Sequence, residues 1–126
     1  MNQVINTSNA PAPIGPYSQA VIANGFLFLS GQIAINPESG EVVQSSTSEE
    51  THQVMRNINA VLLEAEYAFE HVVKTTIFLS DMDLFAAVNE VYGSYFSGSY
   101  PARETVAVKG LPKGVNVEIS VTAFKA

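Results

Sequence analysis

From Val115 to Thr122 the chain alternates strictly, with Val115, Val117, Ile119 and Val121 on one side and Asn116, Glu118, Ser120 and Thr122 on the other. Successive side chains of a strand point to opposite faces, so this segment reads as a strand with one face in a core and the other polar. Such a strand cannot stand alone. It needs neighbours to pair with and a layer of apolar side chains to lie against, and the remaining sequence supplies both.

The pairing partners come first. Asn24-Gly25 lies between the apolar runs Ala20 to Ala23 and Phe26 to Leu29, and Asn-Gly suits a tight type I′ hairpin because both positions take positive φ. Val72 to Leu79 is apolar and β-branched, as in a central strand. Pro37 to Gly40 and Leu111-Pro112-Lys113-Gly114 read as turns, while Pro11, Pro13, Gly15 and Pro16 hold an extended, shaped loop. The cover is helical. Thr47 with Glu50 three residues on has the form of a capping box, and Val54, Ile58, Val61, Leu62 and Ala65 recur at helical spacing, which predicts an amphipathic helix from about Ser48 to Glu66. A second helix is expected after a cap at Asp81 or Asp83, with Phe85, Val88, Tyr92 and Tyr95 or Phe96 in register until Gly98 stops it.

The order strand, hairpin, helix, strand, helix, strand, strand predicts one α+β domain over residues 1–126, a mixed sheet with two helices on one face. A chain of 126 residues buries enough surface to fold without disulfide or metal. Two helices leave the other face of the sheet bare. Only 14% of residues are charged, against about 25% in an average soluble domain, and 47% are apolar, so that face is expected to meet the same face of another copy.

Composition also excludes whole classes of function. No cysteine is present, which removes a disulfide framework, a thiolate nucleophile and Cys-ligated metal; two histidines cannot build a His-rich metal site. The net charge is −6 with Lys and Arg scattered, so the clustered cations of a nucleic-acid binder are missing. The N-terminal segment lacks the cationic start and apolar core of a secretory signal, and Ala20 to Ile35 is broken by polar residues, so a cytoplasmic protein outside any membrane is expected.

Polar residues beside Pro and Gly are the candidates for chemistry: Gly15-Pro16-Tyr17-Ser18-Gln19, Ser30-Gly31-Gln32, and Pro101-Ala102-Arg103 with Glu118 downstream. Arg103, one of two arginines, can grip a carboxylate with two parallel bonds or form a surface ion pair. Glu118 in mid-strand is either a water-activating carboxylate or part of a solvated strand face. His52 reads as a solvated helix residue and His71 as a capping or packing one. Tyr92, Tyr95, Phe96 and Tyr100 read as a packing cluster, although Tyr100 beside Pro101 is placed to wall a pocket.

Six segments then carry a resemblance: Pro13-Ile14-Gly15-Pro16-Tyr17-Ser18-Gln19-Ala20, Leu29-Ser30-Gly31-Gln32-Ile33, Val73-Lys74-Thr75-Thr76, Val88-Asn89-Glu90-Val91-Tyr92, Pro101-Ala102-Arg103, and Leu111-Pro112 with Val117-Glu118-Ile119. Over essentially its whole length the chain resembles the RidA family of reactive intermediate deaminases. The resemblance implies a chorismate-mutase-like α+β fold, a homotrimer with inward-facing sheets, and sites in clefts between subunits. It implies cofactor-free hydrolysis of 2-imino acids, tautomers of the 2-aminoacrylate-type enamines released by pyridoxal-phosphate enzymes, to 2-oxo acids and ammonia. By position, Arg103 matches the arginine that holds the substrate carboxylate and Glu118 the glutamate that positions the attacking water, while Tyr17, Ser30, Gly31 and Asn89 match pocket residues. Thr105 stands where some members have Cys, and the alternation of an extended strand turns it to the same side as Arg103. The loop at Ser97-Gly98-Ser99 is shorter than in some members. The alternative from another class is a non-catalytic module that binds small 2-oxo acids or other carboxylates in the same cleft. A chorismate mutase activity would need a second cation for a dicarboxylate, and none is evident.

Overall fold

The structure, a computed structural model, describes residues 2–126. Strands β1 (Gln3–Ile5), β2 (Ala20–Ala23), β3 (Phe26–Gln32), β4 (Val72–Leu79), β5 (Ala102–Ala107) and β6 (Val117–Phe124) form one sheet in the order β1-β2-β3-β6-β4-β5. Every pairing is antiparallel except β4 with β5, which are parallel and joined through helix α2 (Phe85–Gly93) as a crossover connection requires. Helix α1 (Thr47–Glu64) links β3 to β4 and shares the same face of the sheet with α2. The sheet is therefore mixed and the fold α+β, as the alternation and helical spacing imply.

β6 lies between β3 and β4, and its inward residues Val117, Ile119, Val121 and Ala123 are buried to 3% exposure or less. They meet Val54, Met55, Ile58, Val61 and Leu62 of α1 in one core cluster. Each such side chain contributes roughly 1.5–3 kcal/mol by leaving water, which is why the helical and strand periodicities had to agree on one layer. The opposite face carries Val21, Phe26, Phe28, Phe78, Val106 and Phe124 among Ser, Thr and charged residues, and no helix covers it.

Three helix boundaries differ from expectation. The cap of α1 is Ser46, whose Oγ accepts the Glu49 N–H at 3.0 Å, so Thr47 is already helical; Glu50 closes no capping box but is buried and turned toward β6. Asp81 caps a single 3-10 turn, Met82–Leu84, and α2 ends at Gly93, well short of Gly98. Beyond Gly93 the N–H groups of Tyr95 and Phe96 bond back three residues to Tyr92 and Gly93, a tighter winding that swings both rings onto Phe69. His52 is not simply solvated, since its Nδ1 lies 2.9 Å from the Tyr95 hydroxyl. His71 does cap, its Nδ1 accepting the Ala68 N–H at 2.9 Å.

The β2–β3 hairpin turns at Asn24 (φ 52°) and Gly25 (φ 87°), the type I′ signature. Gly25 is fixed from a second side, because its carbonyl accepts both the Lys125 N–H and the Tyr67 hydroxyl, and a Cβ there would meet the Lys125 carbonyl. Gly25→Ala is expected to cost about 1–3 kcal/mol in urea unfolding, from the positive φ and the collision together. Asn24→Gly should change the midpoint far less.

Candidate functional site

Arg103 lies on the edge strand β5 in register with Thr75, and Thr105 in register with Ile77. Thr75 and Ile77 are fully buried beneath the helices, so Arg103 and Thr105 both project toward the helical layer, as strand alternation predicted. The Arg103 guanidinium sits over the rings of Tyr92 (5.2 Å) and Phe85 (5.6 Å) of α2. Tyr92 is itself anchored, its hydroxyl donating to Thr75 Oγ1 at 2.9 Å. Burial raises the Tyr92 pKa, opposed by that hydrogen bond and by the Arg103 charge. No carboxylate pairs with Arg103 among the described residues; the nearby ion pair, Lys74 with Glu104 at 2.9 Å, is on the other face of the sheet. An aromatic cradle holds a cation by its faces and leaves the N–H fork unspent. Asn89, Gly93, Tyr100 and Pro101 complete an open cleft around Arg103, and the Thr105 hydroxyl is buried without a partner.

Glu118 belongs to a different cluster. It registers with Phe78 on β4 and alternates with buried Val117 and Ile119, so it points to the face that the helices leave bare. Between Leu29 and Gln32, two residues of β3, Ser30 and Gly31, oppose one of β6, Ser120, and this bulge places Gly31 directly under the Glu118 carboxylate. A Cβ at Gly31 would fall on that carboxylate. Ile14, Tyr17, Ile33 and Pro112 wall a partly open cavity of about 60 Å³ that Glu118 borders. No described residue hydrogen-bonds the carboxylate, and burial pushes its pKa above the ordinary value. The Pro-rich wall is tied down: Gln19, 2% exposed, accepts the Thr7 N–H at 2.7 Å and donates to the carbonyls of Thr7 (3.0 Å) and Pro11 (2.9 Å). Ser30 Oγ donates to the Ser18 carbonyl at 2.6 Å, and the Tyr17 hydroxyl accepts the Ile14 N–H at 3.3 Å.

The residues singled out in the sequence thus fall into two groups. Tyr17, Ser30, Gly31 and Glu118 come together on or beside one face; Arg103, Asn89 and Thr105 come together on the other, with β4 between β5 and β6. Within one chain they do not form a single pocket. Sequence reasoning missed the Phe85 and Tyr92 cradle, because both residues also satisfy a helical apolar stripe, and it missed Glu50 as an anchor, because its spacing from Thr47 imitated a cap.

Fold and site define a small α+β protein that presents an unpaired arginine and a half-buried glutamate on opposite faces of one sheet. Residues 7–125 match the family model described as endoribonuclease L-PSP. The chain is 51% identical over 125 residues to a RutC family protein of Pyrococcus horikoshii, covering 99% of both. It is 46% identical over 125 residues to the 2-iminobutanoate/2-iminopropanoate deaminase of Mus musculus, covering 99% of this chain and 93% of that one. The crystal structure of a conserved Rid family protein from Yersinia pestis superposes with a TM-score of 0.96 at 49% identity, covering 99% of this chain and 100% of that one. The chain belongs to the RidA family.

Gly31→Ala tests the seat of Glu118. The added methyl should displace the carboxylate toward water, and since burial raises its pKa, the ¹³C-detected titration midpoint of Glu118 should fall back toward that of an ordinary exposed glutamate.

Proposed function

We propose that this chain is a hydrolytic deaminase of small 2-imino acids, working in the cytoplasm without a cofactor as a homotrimer whose sites each combine residues of two chains. The observation that carries the reading is the placement of Arg103 and Glu118 on opposite faces of the sheet. An arginine with no carboxylate partner and a carboxylate with no donor are each left free for a ligand, and a neighbouring copy that sets its Arg103 edge beside the bare, partly apolar Glu118 face would bring the two into one cleft. The relative named as an imine deaminase supports the same chemistry.

In this reading the Arg103 fork binds the substrate carboxylate, held in aim by Tyr92 and Phe85, with Asn89 and the Thr105 hydroxyl lining that side. Tyr17, Ser30 and Gly31 form the opposing wall around Glu118. An imine carbon is already electrophilic, so the protein needs to orient it and deliver one water. Glu118 accepts a proton from the attacking water as its oxygen bonds to C2 and the C=N π pair moves to nitrogen; passing that proton to nitrogen gives a carbinolamine, and relaying the remaining hydroxyl proton to nitrogen by the same carboxylate lets C=O form as the C–N bond breaks, releasing ammonia and a 2-oxo acid. A raised pKa suits a group that takes a proton and returns it. Nucleic acid is no substrate in this reading, because a chain of net charge −6 with scattered cations has little to bind phosphates, and no RNA retention is expected at physiological salt.

Light scattering at micromolar concentration should return three times the 13.5 kDa chain mass; a monomer would sink the composite site. Arg103→Lys should weaken 2-oxobutanoate binding by roughly 1–3 kcal/mol and slow deamination with it. Glu118→Gln should keep that binding and lose about 10²-fold in turnover. Mixing the two inactive variants Arg103→Ala and Glu118→Ala, with unfolding and refolding, should restore activity, since some reassembled sites then hold both wild-type residues. No recovery would mean that each site lies within one chain. Binding of the oxo acid without enamine clearance beyond that of buffer would favour a binding module.

A further inference from the structure

Glu50 is the one fully buried carboxylate among the described residues, 1% exposed, and no Lys or Arg pairs with it. A buried carboxylate without a cation persists only where hydrogen bonds replace its water. Its Oε2 accepts the N–H groups of Asn116 at 2.8 Å and Val117 at 3.2 Å, and its Oε1 accepts the Asn116 side-chain amide at 2.9 Å. Those two backbone donors need an outside acceptor, because β3 pairs with β6 only as far as Gln32 opposite Ile119. Asn116 is also held from the β4 side, where its carbonyl accepts the Ser80 N–H at 2.9 Å and its Oδ1 the Ser80 hydroxyl at 3.1 Å. The two residues directly preceding Glu118 are therefore clamped between α1 and the end of β4. Beyond them the β3 bulge leaves Glu118 its seat over Gly31.

We infer that Glu50 is a positioning residue for Glu118: by filling the acceptor place that β3 vacates, it fixes the path of the strand from which the Glu118 carboxylate projects. The inference rests on Glu118 handling water in the proposed reaction. A side chain serving only general stability would, when changed, lower melting temperature and leave the folded enzyme's kinetics alone. A positioning residue lowers kcat in enzyme that remains folded and leaves Arg103-dependent binding nearly untouched, because the arginine lies on another strand and the other face.

Three variants of the full-length protein separate these roles, with kcat and KM from an enamine-clearing assay and Kd for 2-oxobutanoate from calorimetry. Glu50→Ala removes the acceptor, and Glu50→Asp keeps the charge but withdraws it by one methylene. In both, kcat should drop about tenfold or more while Kd stays within about twofold. Glu50→Gln keeps the arm and an oxygen able to accept both backbone N–H groups, and should recover most of the turnover lost in the alanine variant. Folded Ala or Asp variants with wild-type kcat would overturn the inference. So would binding and turnover falling in proportion, or a Gln variant as slow as Ala, which would make charge rather than placement decisive. If Glu50→Ala does not fold, Glu50→Asp carries the test.

A wild type that clears no enamine faster than buffer would defeat the hydrolytic reading, yet Glu50 could still be judged by the ¹³C titration of Glu118. In Glu50→Asp, where the charge is retained, a midpoint moved by about half a pH unit or more supports positioning, and an unmoved one overturns it.

Discussion

β6 has to satisfy two different environments at once, and most of the molecule is arranged around that demand. Its inner residues are sealed against α1, while residues one position away face outward among Ser, Thr and Phe side chains. A slip of one residue would exchange the two sets, exposing Val117, Ile119 and Val121 and driving Glu118 into the core. The register is held from several sides: by β4 along the strand, by β3 up to the bulge, and by Glu50 where β3 stops. A carboxylate can be kept in a poorly solvated place only when the backbone beneath it cannot shift to relieve the cost.

The arginine side solves the opposite problem. A guanidinium in a partly buried place usually acquires a carboxylate partner, which would satisfy it and blunt its affinity for anything else. Here the rings of Tyr92 and Phe85 provide the favourable contact instead, and the Tyr92–Thr75 hydroxyl bond fixes the lower ring. Lys74 and Glu104 neutralise each other across the sheet, so Glu104, one residue from Arg103 in sequence, is not available to it. Alternation along β5 thus keeps neighbouring opposite charges apart.

How much of this could be read beforehand depends on whether a feature is local. The β6 alternation, the Asn24-Gly25 turn, β4 and the body of α1 were all legible because each is a pattern within a few residues, and the structure agrees with them. The ends of the helices were less so: Thr47 with Glu50 has the spacing of a capping box, but a carboxylate is drawn to the strongest unsatisfied donors in reach, and those of Asn116 and Val117 are remote in sequence. Tyr95 and Phe96 keep helical spacing past Gly93, yet packing on Phe69 winds the chain tighter. At the site, Arg103, Glu118 and Tyr17 were visible as residue types in loop-rich or polar settings. Their division between two faces was implicit in strand parity, but it required the pairing of β4 with both β5 and β6, which no local pattern encodes.

The close approach of Gly31 to Glu118 bears on the order in which such a protein can change over generations. Position 31 can accept a side chain without pushing the Glu118 carboxylate from its seat only after position 118 has shortened, whereas 118 is free to shorten at any time. Loss is therefore easy to begin and awkward to reverse: once a descendant carries a smaller residue at 118 and fills the vacated space from 31, restoring the glutamate requires that the glycine return first. Lineages that abandon this carboxylate would be expected to drift away from it by a one-way path, and the residue found at 31 would record whether they had passed the point of return.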